Sequence, residues 1–303
     1  MFKVFKKITY KIIKPFLIIL FLHTPLFYLV ERIVFKFRFR RSFFLNIIYK
    51  IYFAEYFAKL KDPEKMKEIS LKNLINEEGV KWAKKEYENP YFLNLNDLNK
   101  PFGNLTYGES YPVFFEIVDY IKNNKLQNEE LYIIQLGSCS GRDLEFFYNL
   151  FPNLKYISTD ISQSMLNFQR EIYQNKFEYV NSEAENIDDI INNLNLSNKK
   201  ILIFSDCSLQ YLSSYSIQMF FKKLKKIEGE LLFFMNEPID LPSYDKLNRQ
   251  NLTSHKGLTA FTHNYNLYAK KNNLKIEKNF IIKPFISGSR VTVGIEYLLI
   301  KKF

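Results

Sequence analysis

The sequence predicts an α/β fold: an open, seven-stranded, mostly parallel sheet with helices on both faces, preceded by a basic and hydrophobic helical N-terminal region. Three observations carry this. From residue 131 onward, short apolar runs alternate with helix-length amphipathic segments. The early runs are continuously apolar rather than alternating, which suits parallel strands covered on both faces. And 303 residues, 47% hydrophobic and 17% aromatic, can bury a core of that size.

The elements follow in order. DPEKMKEISLKNLINEEGVKWAKKEYENP, from Asp62, is charged and helix-forming. Asn89-Pro90 and Lys100-Pro101 break the pattern on either side of an irregular stretch. SYPVFFEIVDYIKNN reads as a helix with Pro112 in its first turn, where a missing N–H costs nothing. LYIIQLG is the first strand and DLEFFYNLF the first crossover helix; KYISTD and SMLNFQREIYQ, FEYVNSE and IDDIINNLNL, ILIFSD and SIQMFFKKLKKI repeat the unit. ELLFFMNEP is a fifth strand, and LYAKKNNL belongs to a helix. KIEKNFIIKP and VGIEYLLIKKF, joined through FISGSR with Gly288 for the turn, form an antiparallel pair closing the sheet. Three regions result: a basic segment over 1–61, a helical linker and cofactor-capping region over 62–130, and the sheet domain over 131–303.

The net charge of +11 belongs wholly to residues 1–61, with 13 Lys/Arg against Glu31 and Glu55; the remainder is balanced. An uncharged stretch from Pro15 to Val30 is interrupted by His23, Thr24 and Pro25, and is short of the roughly 20 residues a spanning helix needs. A helix lying in the membrane interface, held by aromatics and by basic residues on anionic lipid, accounts for both charge and hydrophobicity. A helical cap on the protein or a partner, and a true span, are the competing readings. No small-residue cleavage site follows, which argues against a signal peptide. Nucleic acid is not expected, because the charge is accompanied by so many Phe, Ile and Leu. Two cysteines, Cys139 and Cys207, make neither a disulfide framework nor a zinc motif, so no metal is expected and a reducing compartment is implied.

IIQLGSCSGRDL puts a glycine-bearing turn between the first strand and its helix. Counted from Gly137, the second and third glycine places of a dinucleotide turn are held by Cys139 and Arg142, so a pyrophosphate ligand is disfavoured. No phosphate loop of the GxxxxGK[ST] type is present either. Asp160 ends the second strand 19 residues after Gly141, where an acid can accept hydrogen bonds from ribose hydroxyls. A helix-capping aspartate is the alternative there.

Gln135-Leu136-Gly137-Ser138-Cys139-Ser140-Gly141 resembles the first motif of class I S-adenosylmethionine-dependent methyltransferases, which have a Rossmann-like fold. The first and last glycines match. The motif acid is Gln135 here and the central glycine is Cys139. NSEAENID, through Glu183 and Ala184, resembles the family's adenine-side segment, and FSDCSLQYL, with Ser205, Asp206 and Cys207, the segment beside the methyl group. The resemblance spans residues 131–303 and implies S-adenosylmethionine as cofactor. It implies contacts from Gln135, Gly137, Ser138, Cys139, Gly141, Asp160, Ile161, Glu183, Ala184, Ser205 and Asp206. LTYGESYP is similar to a Tyr-Gly-Glu loop that folds over the cofactor in some members, which adds Tyr107 and Glu109.

Methyl transfer to an alcohol needs a positioned nucleophile and a base. His263, in FTHNY, is the expected base, with His255 second and the carboxylates Asp206 and Glu237 as alternatives; a surface or capping role competes for each histidine. These features predict O-methylation of a sugar, glycan precursor or lipid-linked small molecule by a bacterial enzyme. It is expected to be cytoplasmic, peripheral or monotopic on the inner membrane through residues 1–61. A non-catalytic interaction protein keeping the same fold is the alternative. The sequence assigns no oligomeric state.

Overall fold

A computed structural model describes residues 77–88, 112–255, 260–282 and 293–302. All of them fall within the compact unit Pro63–Phe303. The segment 1–61, Tyr107 with Glu109, the Asn89-Pro90 and Lys100-Pro101 breaks and the Gly288 turn lie outside the described residues.

Among the described residues, the helices α1 (Glu77–Glu88) and α2 (Pro112–Asn123) precede the sheet. The alternation then runs β1 (Leu131–Leu136), α3 (Arg142–Leu150), β2 (Lys155–Asp160), α4 (Gln163–Tyr173), β3 (Glu178–Asn181), α5 (Ile187–Asn193), β4 (Lys200–Asp206), α6 (Ser214–Leu224) and β5 (Leu231–Asp240). A short α7 (Leu241–Tyr244), the hairpin strands β6 (Thr253–His255) and β7 (Phe261–His263), α8 (Tyr265–Lys271), β8 (Ile276–Ile282) and β9 (Val293–Lys302) complete it.

The sheet order is β3-β2-β1-β4-β5-β9-β8. β1 to β5 pair in parallel, and β9 is antiparallel to both β5 and β8. The fold is therefore the seven-stranded, mostly parallel Rossmann-like α/β sheet the sequence predicts. Order reverses between β1 and β4, which makes the carboxyl ends of those two strands the candidate ligand site. β6 and β7 form a separate two-stranded hairpin. The sequence gives no alternation there, so His255, expected in a loop, instead ends a strand opposite Phe261.

Strand side chains divide by parity between two apolar layers. Ile201, Ile203, Leu231, Phe233, Leu298 and Ile300 pack with Ile190 of α5, Phe220 and Leu224 of α6 and Tyr268 of α8. Leu202, Phe204, Leu232, Phe234 and Leu299 pack with Phe114 and Ile117 of α2 and Leu144 and Phe147 of α3. Phe114, Phe147 and Phe204 form a ring triad with centroids 5.3–6.3 Å apart. Burying each ring contributes up to about 3 kcal/mol, an upper figure because unfolded chains already hide some surface. Helix starts are set by local capping: Ser162, Ser213 and Asn264 each accept a backbone N–H three residues on, opening α4, α6 and α8. That exchange rules out Asp160 as the cap of α4, since Ser162 does the work.

Candidate active site at the carboxyl ends of β1 and β4

The glycine turn is shaped by backbone conformation and by lack of room. Gly137 and Gly141 both have positive φ, 64° and 76°. A Cβ on Gly137 would lie 2.5 Å from Ser208 Oγ, and one on Gly141 2.8 Å from Tyr173 Cε2. Cys139 also sits in the left-handed region, at φ 46°, where the methyltransferase motif has glycine. For a non-glycine residue this costs on the order of 1 kcal/mol, so the rest of the turn must hold it.

It is held from β2 and α4. Ser138 N–H donates to Thr159 O at 2.9 Å, and Thr159 Oγ1 donates to Gln135 O at 2.7 Å. Gln169, fully buried on α4, donates its amide to Ser138 Oγ and to Cys139 O, and accepts from Ser158 Oγ. Ser138, expected at the ligand, thus fastens the turn. Ser158 and Gln169 were not singled out from sequence. Their signal was a polar residue inside an apolar strand and another on an otherwise apolar helix face.

Asp160 joins three loops. Its Oδ2 accepts Cys139 N–H at 3.0 Å and its Oδ1 accepts Ser162 N–H at 2.8 Å. Its carbonyl accepts Ser182 N–H, which draws the segment after β3 alongside. Asn181 donates to the carbonyls of Asp160 and Ile161. Glu183, half-buried, leads into the 3-10 turn Ala184–Asn186. Gln135, Asp160, Glu183 and Asp206 therefore stand along one edge of four adjacent strands, in the order β3-β2-β1-β4.

At the β4 end, Glu237 of β5 organises the next turn. Its carboxylate accepts Ser205 Oγ at 2.6 Å and the backbone N–H groups of Ser208, Leu209 and Gln210. Burial pushes its pKa up to about 7, against those stabilising donors. Glu237 thus caps the 3-10 turn Leu209–Tyr211, and Asp206 does not. Half-buried Asp206 accepts from Asn236 Nδ2 at 2.8 Å. Desolvation first, then the neighbouring Asp143 carboxylate, raises the pKa of Asp206 well above the ordinary value. Asp143, in the first turn of α3, also accepts Gln135 Nε2 at 2.6 Å. Neither Cys139 nor Cys207 is in a disulfide, and Cys207 Sγ lies 3.5 Å from Asp206 Oδ1.

His263 lies in a different setting. Its ring is fully buried, and Nε2 donates to Leu212 O at 3.1 Å, since a carbonyl can only accept. Nδ1 therefore accepts from Thr253 Oγ1 at 2.8 Å, and Thr253 in turn lies 2.8 Å from Tyr268 OH. Burial lowers the His263 pKa to about 3. A neutral ring with both nitrogens committed has no lone pair to offer an acceptor, so the geometry makes it a tie between the hairpin and the turn after β4. Among the described residues, no three His, Cys, Asp or Glu side chains converge as a metal site. Among them, too, no helix is long and apolar enough to cross a membrane.

No family model matches the chain, and no curated protein matches it in sequence. Solved structures similar to it include a mycolic acid cyclopropane synthase in complex with SAH and CTAB, 7% identical, with 62% of this chain and 84% of that one covered at a TM-score of 0.46. A cyclopropane synthase from Mycobacterium tuberculosis is 9% identical, with 71% and 100% covered at 0.42. A SAM-dependent methyltransferase from Anabaena variabilis is 13% identical, with 73% and 92% covered at 0.43. The fold itself stands on the strand order: a Rossmann-like sheet of seven strands with one antiparallel member, its switch point lined by Gly137, Asp160 and Asp206.

Proposed function

We propose that this protein is an S-adenosylmethionine-dependent methyltransferase. The observation that carries the proposal is the joint placement of the Gly137–Gly141 turn, Asp160 and Asp206 on adjacent strand ends at the point where strand order reverses. The donor set fits a ligand with one nucleoside and an amino-acid tail: a tight turn that admits close approach, an acid for the ribose and polar groups at the β1 and β4 ends. Bound there, the cofactor would supply a sulfonium-activated methyl group.

The chain's own part is positional. Gly137 and Gly141 keep the backbone clear of side chains where a Cβ has no room. Asp160, fixed by two backbone N–H groups at the end of β2, is the candidate acid for the ribose hydroxyls. Asp206 is the candidate to orient an acceptor hydroxyl and take its proton, because its raised pKa brings a carboxylate closer to the range useful for a base. This assignment replaces His263, whose nitrogens are engaged.

The acceptor we propose is a hydroxyl on a sugar, glycan precursor or lipid-linked small molecule, met at the cytosolic membrane face. Support for the location comes from the basic, aromatic segment 1–61, which would dock on anionic lipid. The cofactor proposal is tested by calorimetry of the full-length protein with S-adenosylmethionine and S-adenosylhomocysteine. Saturable heat is expected, and none up to near-millimolar ligand would sink it. Cofactor binding without turnover on any cell extract would instead favour a non-catalytic docking protein.

A further inference from the structure

Glu237 is fully buried on β5, yet it spends its hydrogen bonds on β4 and the turn that follows it. Oε1 accepts Ser205 Oγ at 2.6 Å, Ser208 N–H at 3.1 Å and Leu209 N–H at 3.0 Å, and Oε2 accepts Gln210 N–H at 3.1 Å. Three consecutive backbone N–H groups thus converge on one carboxyl. A carboxylate holds such donors about twice as strongly as a neutral acceptor, and protonation would put an O–H among them.

Ser208 carries the clamp across to the glycine turn. Its hydroxyl lies 3.1 Å from Gly137 O and 3.2 Å from Asp206 O, so one proton ties the ends of β1 and β4. The fit is close: a Cβ on Gly137 would fall 2.5 Å from Ser208 Oγ and 2.7 Å from its Cβ. Both turns also hold a cysteine in the left-handed region, Cys139 at φ 46° and Cys207 at φ 60°. Such conformations persist only where the surroundings impose them. β2 and α4 impose the first, and the Glu237 clamp begins one residue after the second.

Around Glu237 stand Asp206 and Cys207 at the end of β4, Glu296 directly opposite on β9 and Tyr265 at the start of α8, with Tyr244 of α7 beside Glu296. None of these carries a positive charge. His263 of β7 holds the far end of the turn through Leu212 O, and its burial keeps it neutral.

We infer that Glu237 is a positioning residue for the cofactor turn: its carboxylate fixes Ser208–Gln210, and Ser208 fixes Gly137. The inference rests on the methyltransferase reading, since the bound cofactor is what requires that turn to be held. Burial opposes the charge that holding the turn requires, and the carboxyl titrates at about 7. Cofactor affinity therefore rises with pH as the carboxylate forms.

The test is calorimetry of the full-length protein with S-adenosylhomocysteine at pH 6 and pH 8. Wild type should bind about tenfold more tightly at pH 8, the change in ionised fraction of a group titrating near 7. Asp206 also titrates beside the crevice, so the variants separate the two acids. Glu237→Gln keeps the volume and loses the charge; it should bind as wild type does at pH 6, with a profile flat to within about threefold. Ser208→Ala leaves the carboxylate and its backbone donors in place, and should show the same weak, shallow profile. The double variant should bind within about twofold of Ser208→Ala, because one link has been cut twice.

A flat wild-type profile, a Glu237→Gln profile as steep as that of wild type, or losses that add in the double variant overturn the positioning role and leave the cofactor assignment standing. Should Glu237→Gln fail to fold, Ser208→Ala decides by itself, and a wild-type slope in that variant overturns the role. Wild type that binds no S-adenosylhomocysteine at either pH overturns the cofactor assignment, and the inference with it.

Discussion

Glu237 on β5 and Glu296 on β9 stand directly opposite each other in an antiparallel pair, and neither is exposed to solvent. Glu237 is surrounded by four donors; Glu296 accepts Asn279 Nδ2 and Asn266 N–H on one oxygen and has the Tyr244 hydroxyl beside it. Tyr265 OH, buried and unpartnered, feels both carboxylates. Desolvation dominates at each glutamate and lifts both pKa values from 4.5 to about 7.

The two glutamates should therefore make stability fall as pH rises from about 4.5 to about 7, opposed up to about 6.5 by His263, whose lowered pKa gives the reverse slope. Each folded carboxyl holds a proton that the unfolded chain releases in that window, so the native state is favoured on the acid side and loses that advantage through pH 7. A displacement of this size corresponds to a contribution on the order of 3 kcal/mol per group. Urea unfolding of wild type and Glu296→Gln across the window isolates the Glu296 part: the variant should lack a fall on the order of 3 kcal/mol. An unchanged slope in that variant would show that Glu296 does not titrate there.

His263→Phe should destabilise without touching the ligand. It keeps a ring but strands Leu212 O and removes one of the two partners of Thr253 Oγ1, at a cost of about 2 kcal/mol. Urea unfolding should register the loss while the S-adenosylhomocysteine dissociation constant stays within twofold. If His263 were the base, stability would hold and turnover would vanish.

Gly137→Ala should lose cofactor binding, because both the left-handed backbone and the 2.5 Å approach to Ser208 Oγ oppose a side chain. A stability loss of about 1–3 kcal/mol should accompany it. Calorimetry and urea midpoints together check this, and wild-type affinity in the variant would contradict the turn geometry.

Deleting residues 1–61 should move the protein from the membrane to the soluble fraction. Fractionation at low and high salt is the measurement. Full-length protein wholly soluble at low salt would count against lipid docking.

Much of the fold was legible from residue 131 onward because each buried strand is a short apolar run and several helices open on their own side-chain cap, as with KYISTD followed by Ser162. The hairpin of β6 and β7 was not, since TSH and FTH are too short to show a period and are held together by pairing with each other. Within the site, the glycine turn, Asp160 and Asp206 could be placed from their positions at strand ends together with the resemblance to the methyltransferase motifs. The partners of His263 could not: Leu212 lies 51 residues away in sequence, and nothing local marks its carbonyl as an acceptor.

By itself the sequence determined the seven strands of the main sheet, its mostly parallel character, the glycine-bearing turn after the first strand and the confinement of net charge to residues 1–61. These depend on local composition and periodicity, which survive in one dimension. Only the tertiary structure decided which polar side chains are spent on the fold and which are left to bind. Burial and hydrogen-bond satisfaction are set by neighbours distant in the chain. They commit His263 and Glu237 to holding turns, and they leave the oxygens of Gln135 and Asn236 unsatisfied beside Asp206.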